Sequence, residues 1–236
     1  MKIPKAIFLH LLPGLVSIIA IILLAPLLQK YHFHTGLAFL FAFIFFTIPL
    51  YLYLLLREGK SINGFFSFKN VNLYAMPMPV WQHVVSFLGF VVLAFGLLFL
   101  FSPVNTYLAE NVFYWLPSYL RDSDVNQHLS YQAMLFFLIL QIIVDGILTP
   151  TVEEFYFKGY LLSRMKSLGS FAPLLSAALF TLAHFWQPYN YLLIFSIQLP
   201  LTYLVWWKKN VYIGIYLHIF GNLFGAILSL IGFLNP

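Results

Sequence analysis

The sequence predicts an all-α fold, a polytopic helical membrane protein with about seven transmembrane helices. Of its 236 residues, 62% are apolar and only 8% are charged, whereas a soluble domain carries about 25% charged residues. The mean hydropathy is +0.90, and the apolar residues stand in runs long enough for spans of about 20 residues. A soluble enzyme and a disordered chain are therefore excluded, and the absence of cysteine excludes a disulfide scaffold.

Each apolar run is interpreted as a helix, because a backbone exposed to lipid must satisfy its own hydrogen bonds. The first run follows Lys2 and Lys5 without a small-residue cleavage site, so we expect a retained span rather than a signal peptide. The fourth run continues as helix-compatible sequence to Lys166, and Pro150 should kink or break it. If the chain turns at Pro150, the count becomes eight. The seven expected spans are residues 6–28, 35–56, 80–101, 131–149, 171–186, 191–207 and 211–233.

The basic residues favour a cytoplasmic N-terminus. With Met1 inside, the inner segments carry nine Lys and Arg, and the outer segments carry only Lys30 and Arg121. Such a surplus follows the positive-inside rule. We expect a multi-pass integral membrane protein, in the cell membrane if the source is bacterial. The net charge of +5 is scattered between apolar blocks, so nucleic acid is not an expected partner.

Ionisable residues within the spans gather in the last hundred residues. Such groups are costly in lipid and are candidates for function by default. Glu154 and Lys158 are four residues apart with the acid first, so they should pair on one helical face. Glu153 is rotated by about 100° from its neighbour and lacks that partner. It is therefore the candidate general base.

His218 and Asn222 are also four residues apart and should project together as two polar donors. Counted at about 1.5 Å per residue, Glu153, His184 and this pair lie roughly 14–20 Å in from the cytoplasmic side. Three segments could therefore meet in one polar pocket. Asp145 stands alone in the fourth span and is either a structural hydrogen-bonding residue or a functional one.

Less specific interpretations stand beside these. An isolated histidine in a span is more often an interhelical hydrogen-bond partner than a catalyst, which is our interpretation of His10 and His83. Glu153 and Glu154 could form a solvated cap at a span end. Phe180 is interpreted as a packing residue.

Three motifs resemble the CPBP family of intramembrane proteases, which includes type II CAAX prenyl endopeptidases and bacteriocin-processing and self-immunity proteins. The family pattern is EExxxR, then FxxxH, then HxxxN or HxxxD. The corresponding residues, in the same order, are Glu153-Glu154-x-x-x-Lys158, Phe180-x-x-x-His184 and His218-x-x-x-Asn222. The resemblance covers roughly residues 145–230, and the three motifs in order are more specific than any one alone.

The resemblance implies a helical fold with a four-helix catalytic core around a conical cavity open to the cytoplasm. It divides the chain into N-terminal transmembrane helices with an interfacial loop (residues 1–130) and a CPBP-like catalytic core (residues 131–236). It also implies the roles of the motif residues. Glu153 and His184 would activate a water, His218 and Asn222 would stabilise the oxyanion, and Glu154 and Lys158 would be the supporting pair.

Lys158 departs from the family pattern, which has arginine there. Lysine keeps the positive charge but lacks the bidentate fork of a guanidinium group.

The sequence leaves open whether the reaction uses a metal ion. Glu153, His184 and His218 could in principle hold zinc with one open coordination position. The sequence contains no H-E-x-x-H motif, and the resemblance to CAAX-type enzymes favours a glutamate mechanism without metal. We expect no cofactor, with zinc as the alternative.

The sequence thus predicts an intramembrane endopeptidase that hydrolyses a peptide bond near the cytoplasmic face. Its expected partners are the lipid bilayer and a membrane-associated peptide or protein substrate, either membrane-anchored or very apolar. One alternative is a non-enzymatic immunity or scaffold protein that binds a membrane peptide in the same pocket, against which the complete motif set argues. The other is a small proton-coupled transporter, which the absence of internal sequence symmetry disfavours.

Overall fold

The computed structural model describes residues 1–121 and 130–235. These residues form helices joined by short connections, and their only β-type pairing is an isolated antiparallel bridge between Ala75 and Asn210. The predicted all-α class is confirmed. We number the seven longest helices as follows: α1 Ile3–Lys30, α2 Gly36–Asn63, α3 Val80–Val112, α4 Tyr131–Arg164, α5 Phe171–Ala183, α6 Tyr191–Lys208 and α7 Val211–Leu234.

Five of these helices, α1 to α4 and α7, are long and apolar enough to cross a membrane. The remaining two predicted spans correspond to α5 and α6, which are not among those five. With 13 residues, α5 is about 20 Å long, shorter than a hydrocarbon core of about 30 Å. The protein is therefore a polytopic helical membrane protein, while the count of seven spans stays a prediction.

The helix α4 continues through Pro150. The chain therefore does not turn there, and the turn that would have given eight spans is not found. Its α-helical turns are interrupted by two π-helical stretches, Val144–Leu148 and Glu154–Leu161. A π stretch directly before the proline widens the helix where the proline ring would crowd the preceding turn. The proline has no N–H, and the Asp145 carbonyl, five residues before it, accepts from Asn222 Nδ2 of α7 at 3.1 Å.

The second π stretch of α4 lies at the centre of the protein. Tyr156, Phe157 and Leu161 are fully or nearly fully buried there. The Tyr156 hydroxyl donates to the Leu9 carbonyl of α1 at 2.7 Å. On the opposite side α7 runs antiparallel to α4, because His218 contacts Glu154 and the later residue Asn222 contacts the earlier Asp145. The motif residues of α4 are thereby enclosed by α1 and α7, and also by α2, α5 and α6, whose contacts are described below.

The division of the chain at residues 130 and 131 stays a prediction. Of the interfacial loop expected before that boundary, residues 122–129 lie outside the described residues. The part directly after the predicted third span is helical, since α3 continues to Val112 through the π stretch Leu108–Val112.

Candidate active site

A buried ion pair forms the centre of the site. The Lys158 Nζ donates to Oε1 of Glu154, and their side chains expose only 2% and 0% of their surface. The predicted pairing is confirmed. It persists although this part of α4 is π-helical, since four residues still bring the two side chains to the same face. A charge buried this deeply is tolerated in a protein only when it is paired.

Two further groups hold the Lys158 ammonium. It donates to Gln198 Oε1 of α6 at 3.0 Å, and it lies 5.4 Å from the centre of the Phe180 ring on α5. Both contacts suit a cation, the first as a charge-assisted hydrogen bond and the second as a cation–π interaction. Three separate helices thereby fix a flexible lysine at the position where the family pattern has arginine.

His218 joins the same pair from α7. Its Nδ1 lies 3.1 Å from Glu154 Oε1, and because a carboxylate only accepts, this nitrogen is the donor. The close approach of α7 depends on Gly214, since a Cβ added there would collide with Glu154 Oε2. Oε2 is buried and has no hydrogen-bond partner among the described residues. Glu154 is therefore enclosed by α7 on the side away from Lys158.

Glu153 is the other carboxylate of the motif and is 4% exposed. It closes the α-helical turn Thr149–Glu153, directly before the second π stretch. The Tyr51 hydroxyl of α2 lies at 3.5 Å from Glu153 Oε1, which is a long hydrogen bond. Glu154, Asp145 and Lys158 are all close enough to Glu153 to act on its charge. Among the described residues, however, Glu153 lacks the direct ion pair that its neighbour has.

His184 directly follows the last residue of α5, and a backbone carbonyl of that helix orients its ring. Its Nδ1 lies 2.8 Å from the Phe180 carbonyl, and since a carbonyl only accepts, Nδ1 carries the proton. The neutral ring then keeps Nε2 as an acceptor. The Phe180 ring packs 4.7 Å from the His184 ring and 6.1 Å from the His218 ring, between centroids. Phe180 is a packing residue, as interpreted, and three of the motif side chains share it as a neighbour.

Asn222 faces α4 one turn beyond His218, but the two do not share a partner. Its Nδ2 donates to the backbone carbonyl of Asp145 at 3.1 Å, within the first π stretch of α4. One N–H of the amide is thereby used and the other remains. The Asp145 side chain lies within electrostatic range of His218, so this residue belongs to the polar cluster instead of standing alone.

The described residues contain no group of three His, Asp or Glu side chains placed to hold a metal ion. A zinc-dependent protease, the alternative that the sequence left open, is therefore not supported. The expectation of a reaction without cofactor stays a prediction.

Two residues of the site, Gln198 and Tyr51, were not predicted from the sequence. Gln198 could have been, because an amide in the middle of an apolar span needs a hydrogen-bond partner. Tyr51 could not have been, since the sequence holds 15 tyrosines and nothing distinguishes this one from those at membrane interfaces.

The fold and the site define an integral membrane protein with a buried cluster of carboxylates, histidines and one lysine. Residues 135–224 match the family described as type II CAAX prenyl endopeptidase Rce1-like. This part of the chain is similar to an Rce1-like domain, and the resemblance predicted from the three motifs is confirmed. The family indicates a CAAX protease-type enzyme. Comparisons with curated proteins and with solved structures give no match.

Proposed function

We propose that the protein is an intramembrane endopeptidase that cleaves membrane-anchored or apolar peptides with a water activated by Glu153 and His184. The observation that supports this most is the contrast between the two adjacent glutamates. Glu154 is held by Lys158 and His218, whereas the only hydrogen bond of the Glu153 side chain among the described residues is the long one from Tyr51. The Glu154 carboxylate is held in ion pairs that support the structure, and the Glu153 carboxylate is available to accept a proton.

The proposed reaction begins with water between Glu153 and His184. Glu153 takes a proton from the water, and the oxygen attacks the carbonyl carbon of the scissile bond. The His184 Nε2, left as an acceptor by the bond of Nδ1 to Phe180, orients the water. The carbon–nitrogen bond then breaks, and the proton held by Glu153 passes to the leaving amine.

The oxyanion formed in this attack is assigned to donors on α7. Asn222 keeps one amide N–H beyond its bond to the Asp145 carbonyl. His218 uses Nδ1 on Glu154, which leaves Nε2 as the ring nitrogen for the oxyanion, and in the doubly protonated ring this nitrogen is a donor. Removing one such donor costs about 10²–10³ in turnover in well-studied proteases. The pair of Glu154 and Lys158 serves to place His218.

The first test is hydrolysis by the detergent-purified protein. The substrates are a prenylated peptide with a C-terminal CAAX sequence, suggested by the family description, and a library of unmodified apolar peptides. The variant Glu153→Gln should remove turnover while leaving the thermal unfolding temperature within a few degrees, because an amide cannot take the proton. Glu110→Gln, at an exposed position of α3, is the matched control and should keep full activity.

Turnover of Glu153→Gln within about tenfold of the unmodified protein would exclude the general-base role, since that role contributes at least 10²-fold. Tight binding of a peptide that no form of the protein cleaves would instead favour the immunity or scaffold alternative. Proton-coupled uptake into vesicles without hydrolysis would favour the transporter.

A further inference from the structure

Two neighbouring cavities lie where α1 begins and α4 ends, away from the motif residues. The larger has a volume of about 490 Å³ and the smaller of about 360 Å³. They share two lining residues, Leu73 and Lys166. The first residues of α1 and the last residues of α4 are ends of candidate membrane spans, so the cavities lie at the level of a membrane surface.

The larger cavity has an excess of positive charge. Its charged side chains are Lys2, Lys5, Arg164 and Lys166, against the single carboxylate of Glu58. Both oxygens of that carboxylate are already used, one by Arg164 Nε at 3.2 Å and the other by the Tyr160 hydroxyl at 3.2 Å.

The three lysines of this cavity keep their charge uncompensated. Among residues 1–121 and 130–235, Lys2, Lys5 and Lys166 have no carboxylate within 4.0 Å. Each is exposed, so its ammonium group is accessible to an anion that enters the cavity.

The smaller cavity continues the positive charge and adds an apolar wall. Lys209 lines it together with Leu162 and Trp206, and its Nζ lies 4.4 Å from the centre of the Trp206 ring. Partial burial, and secondarily the charge of Lys166, lower the pKa of Lys209 from its ordinary value. Lys166 and Lys209 both line this smaller cavity, so their ammonium groups repel one another, and an anion placed between them would relieve this repulsion.

We infer that the joined cavities bind an anionic phospholipid, with its phosphate group against Lys2, Lys5 and Lys166. Its glycerol and upper acyl portion then lies along Leu73 and Trp206. Basic pockets at the end of membrane helices attract lipid headgroups by this combination of charge and position. The volume of the larger cavity suits a headgroup of several atoms. A free inorganic anion would make no favourable contact with the apolar wall beside it, whereas the apolar part of a lipid would. This site is separate from the proposed protease site and does not depend on it.

The test measures phosphatidylglycerol binding to the detergent-purified full chain by native mass spectrometry and by the shift in thermal unfolding temperature. The variant is Lys2→Gln/Lys5→Gln/Lys166→Gln. Its matched control, Lys30→Gln/Lys60→Gln/Lys69→Gln, removes the same charge from exposed lysines elsewhere. Because each basic residue near an anionic lipid contributes about a fivefold factor, the first variant should bind about 100-fold more weakly. The control should bind like the unmodified protein.

Equal weakening of both variants, or none in the first, would overturn the inference, since either result means that general charge or another surface holds the lipid. Equal stabilisation by inorganic phosphate at matched ionic strength would overturn the assignment to a lipid. Phosphatidylcholine should bind weakly in every form. If the triple variant folds poorly, the single variant Lys166→Glu replaces it, because Lys166 is exposed and has no ion pair among the described residues. It should also weaken phosphatidylglycerol binding.

Discussion

The buried pair of Glu154 and Lys158 makes a quantitative prediction about stability. The variant Glu154→Gln leaves the Lys158 ammonium with the Gln198 amide as its hydrogen-bond acceptor, and Lys158→Met leaves the Glu154 carboxylate with His218. Because the two side chains are 0% and 2% exposed, water cannot replace the missing partner. Each single variant should lower the free energy of unfolding by about 3–5 kcal/mol, the usual cost of an uncompensated buried charge.

The double variant Glu154→Gln/Lys158→Met removes both charges together. Its loss should be close to that of one single variant, which corresponds to a coupling of about 3–5 kcal/mol between the two sites. The measurement is denaturant unfolding in detergent, monitored by near-ultraviolet circular dichroism. It is made on the unmodified protein, the two single variants and the double variant, which together form a double-mutant cycle.

A second double-mutant cycle, on a more exposed ion pair of the same protein, is the control. Glu58 and Arg164 also form an ion pair, at 3.2 Å, but their side chains are 22% and 15% exposed. Partly hydrated pairs are worth about 1 kcal/mol or less, so the coupling in Glu58→Gln/Arg164→Met should be several-fold smaller. Losses at Glu154 and Lys158 that add within about 0.5 kcal/mol would refute the reasoning that burial makes this pair indispensable.

Three further predictions concern the neighbours of the pair and the metal question. The variant Tyr51→Phe removes the long hydrogen bond to Glu153, so kcat should fall by about three- to tenfold with KM unchanged in steady-state assays. An equal change in KM would indicate a role in substrate binding instead. The variant Gln198→Met removes an acceptor from a buried ammonium and should lower stability by about 1–3 kcal/mol. A loss of the same size for Gln29→Met, at an exposed position, would show that the buried contact is not responsible. Exhaustive treatment with a strong chelator should leave activity nearly intact, and one zinc per active chain, lost in His184→Ala, would contradict this.

Much of the architecture followed from the sequence because it depends on composition and on local spacing. Apolar runs with few charges must become helices in lipid, since each backbone group has to find its partner within the same segment. The pairing of Glu154 with Lys158 followed from a separation of four residues, which places two side chains on one face of any helix close to α-helical geometry. The family followed from three motifs in order, each confined to a few residues.

Other features depended on contacts between distant segments. The helix α4 passes through Pro150 because a π stretch precedes it, and no propensity at a single residue predicts that stretch. His218 and Asn222 share a helical face, as their spacing predicted, yet one binds a side chain and the other a backbone carbonyl nine residues away on α4. Their partners depend on where α7 crosses α4.

The sequence by itself determined that this chain folds as membrane helices, and it determined which polar residues the helices must accommodate, because both follow from the cost of placing charge in lipid. Only the tertiary structure decided which groups of other helices reach each carboxylate. The spacing already distinguishes Glu154, which pairs with Lys158, from Glu153, but it does not show that Tyr51 of α2 approaches Glu153 or that His218 of α7 binds Glu154. These contacts require the relative position of three helices, which side-chain spacing along one helix does not contain.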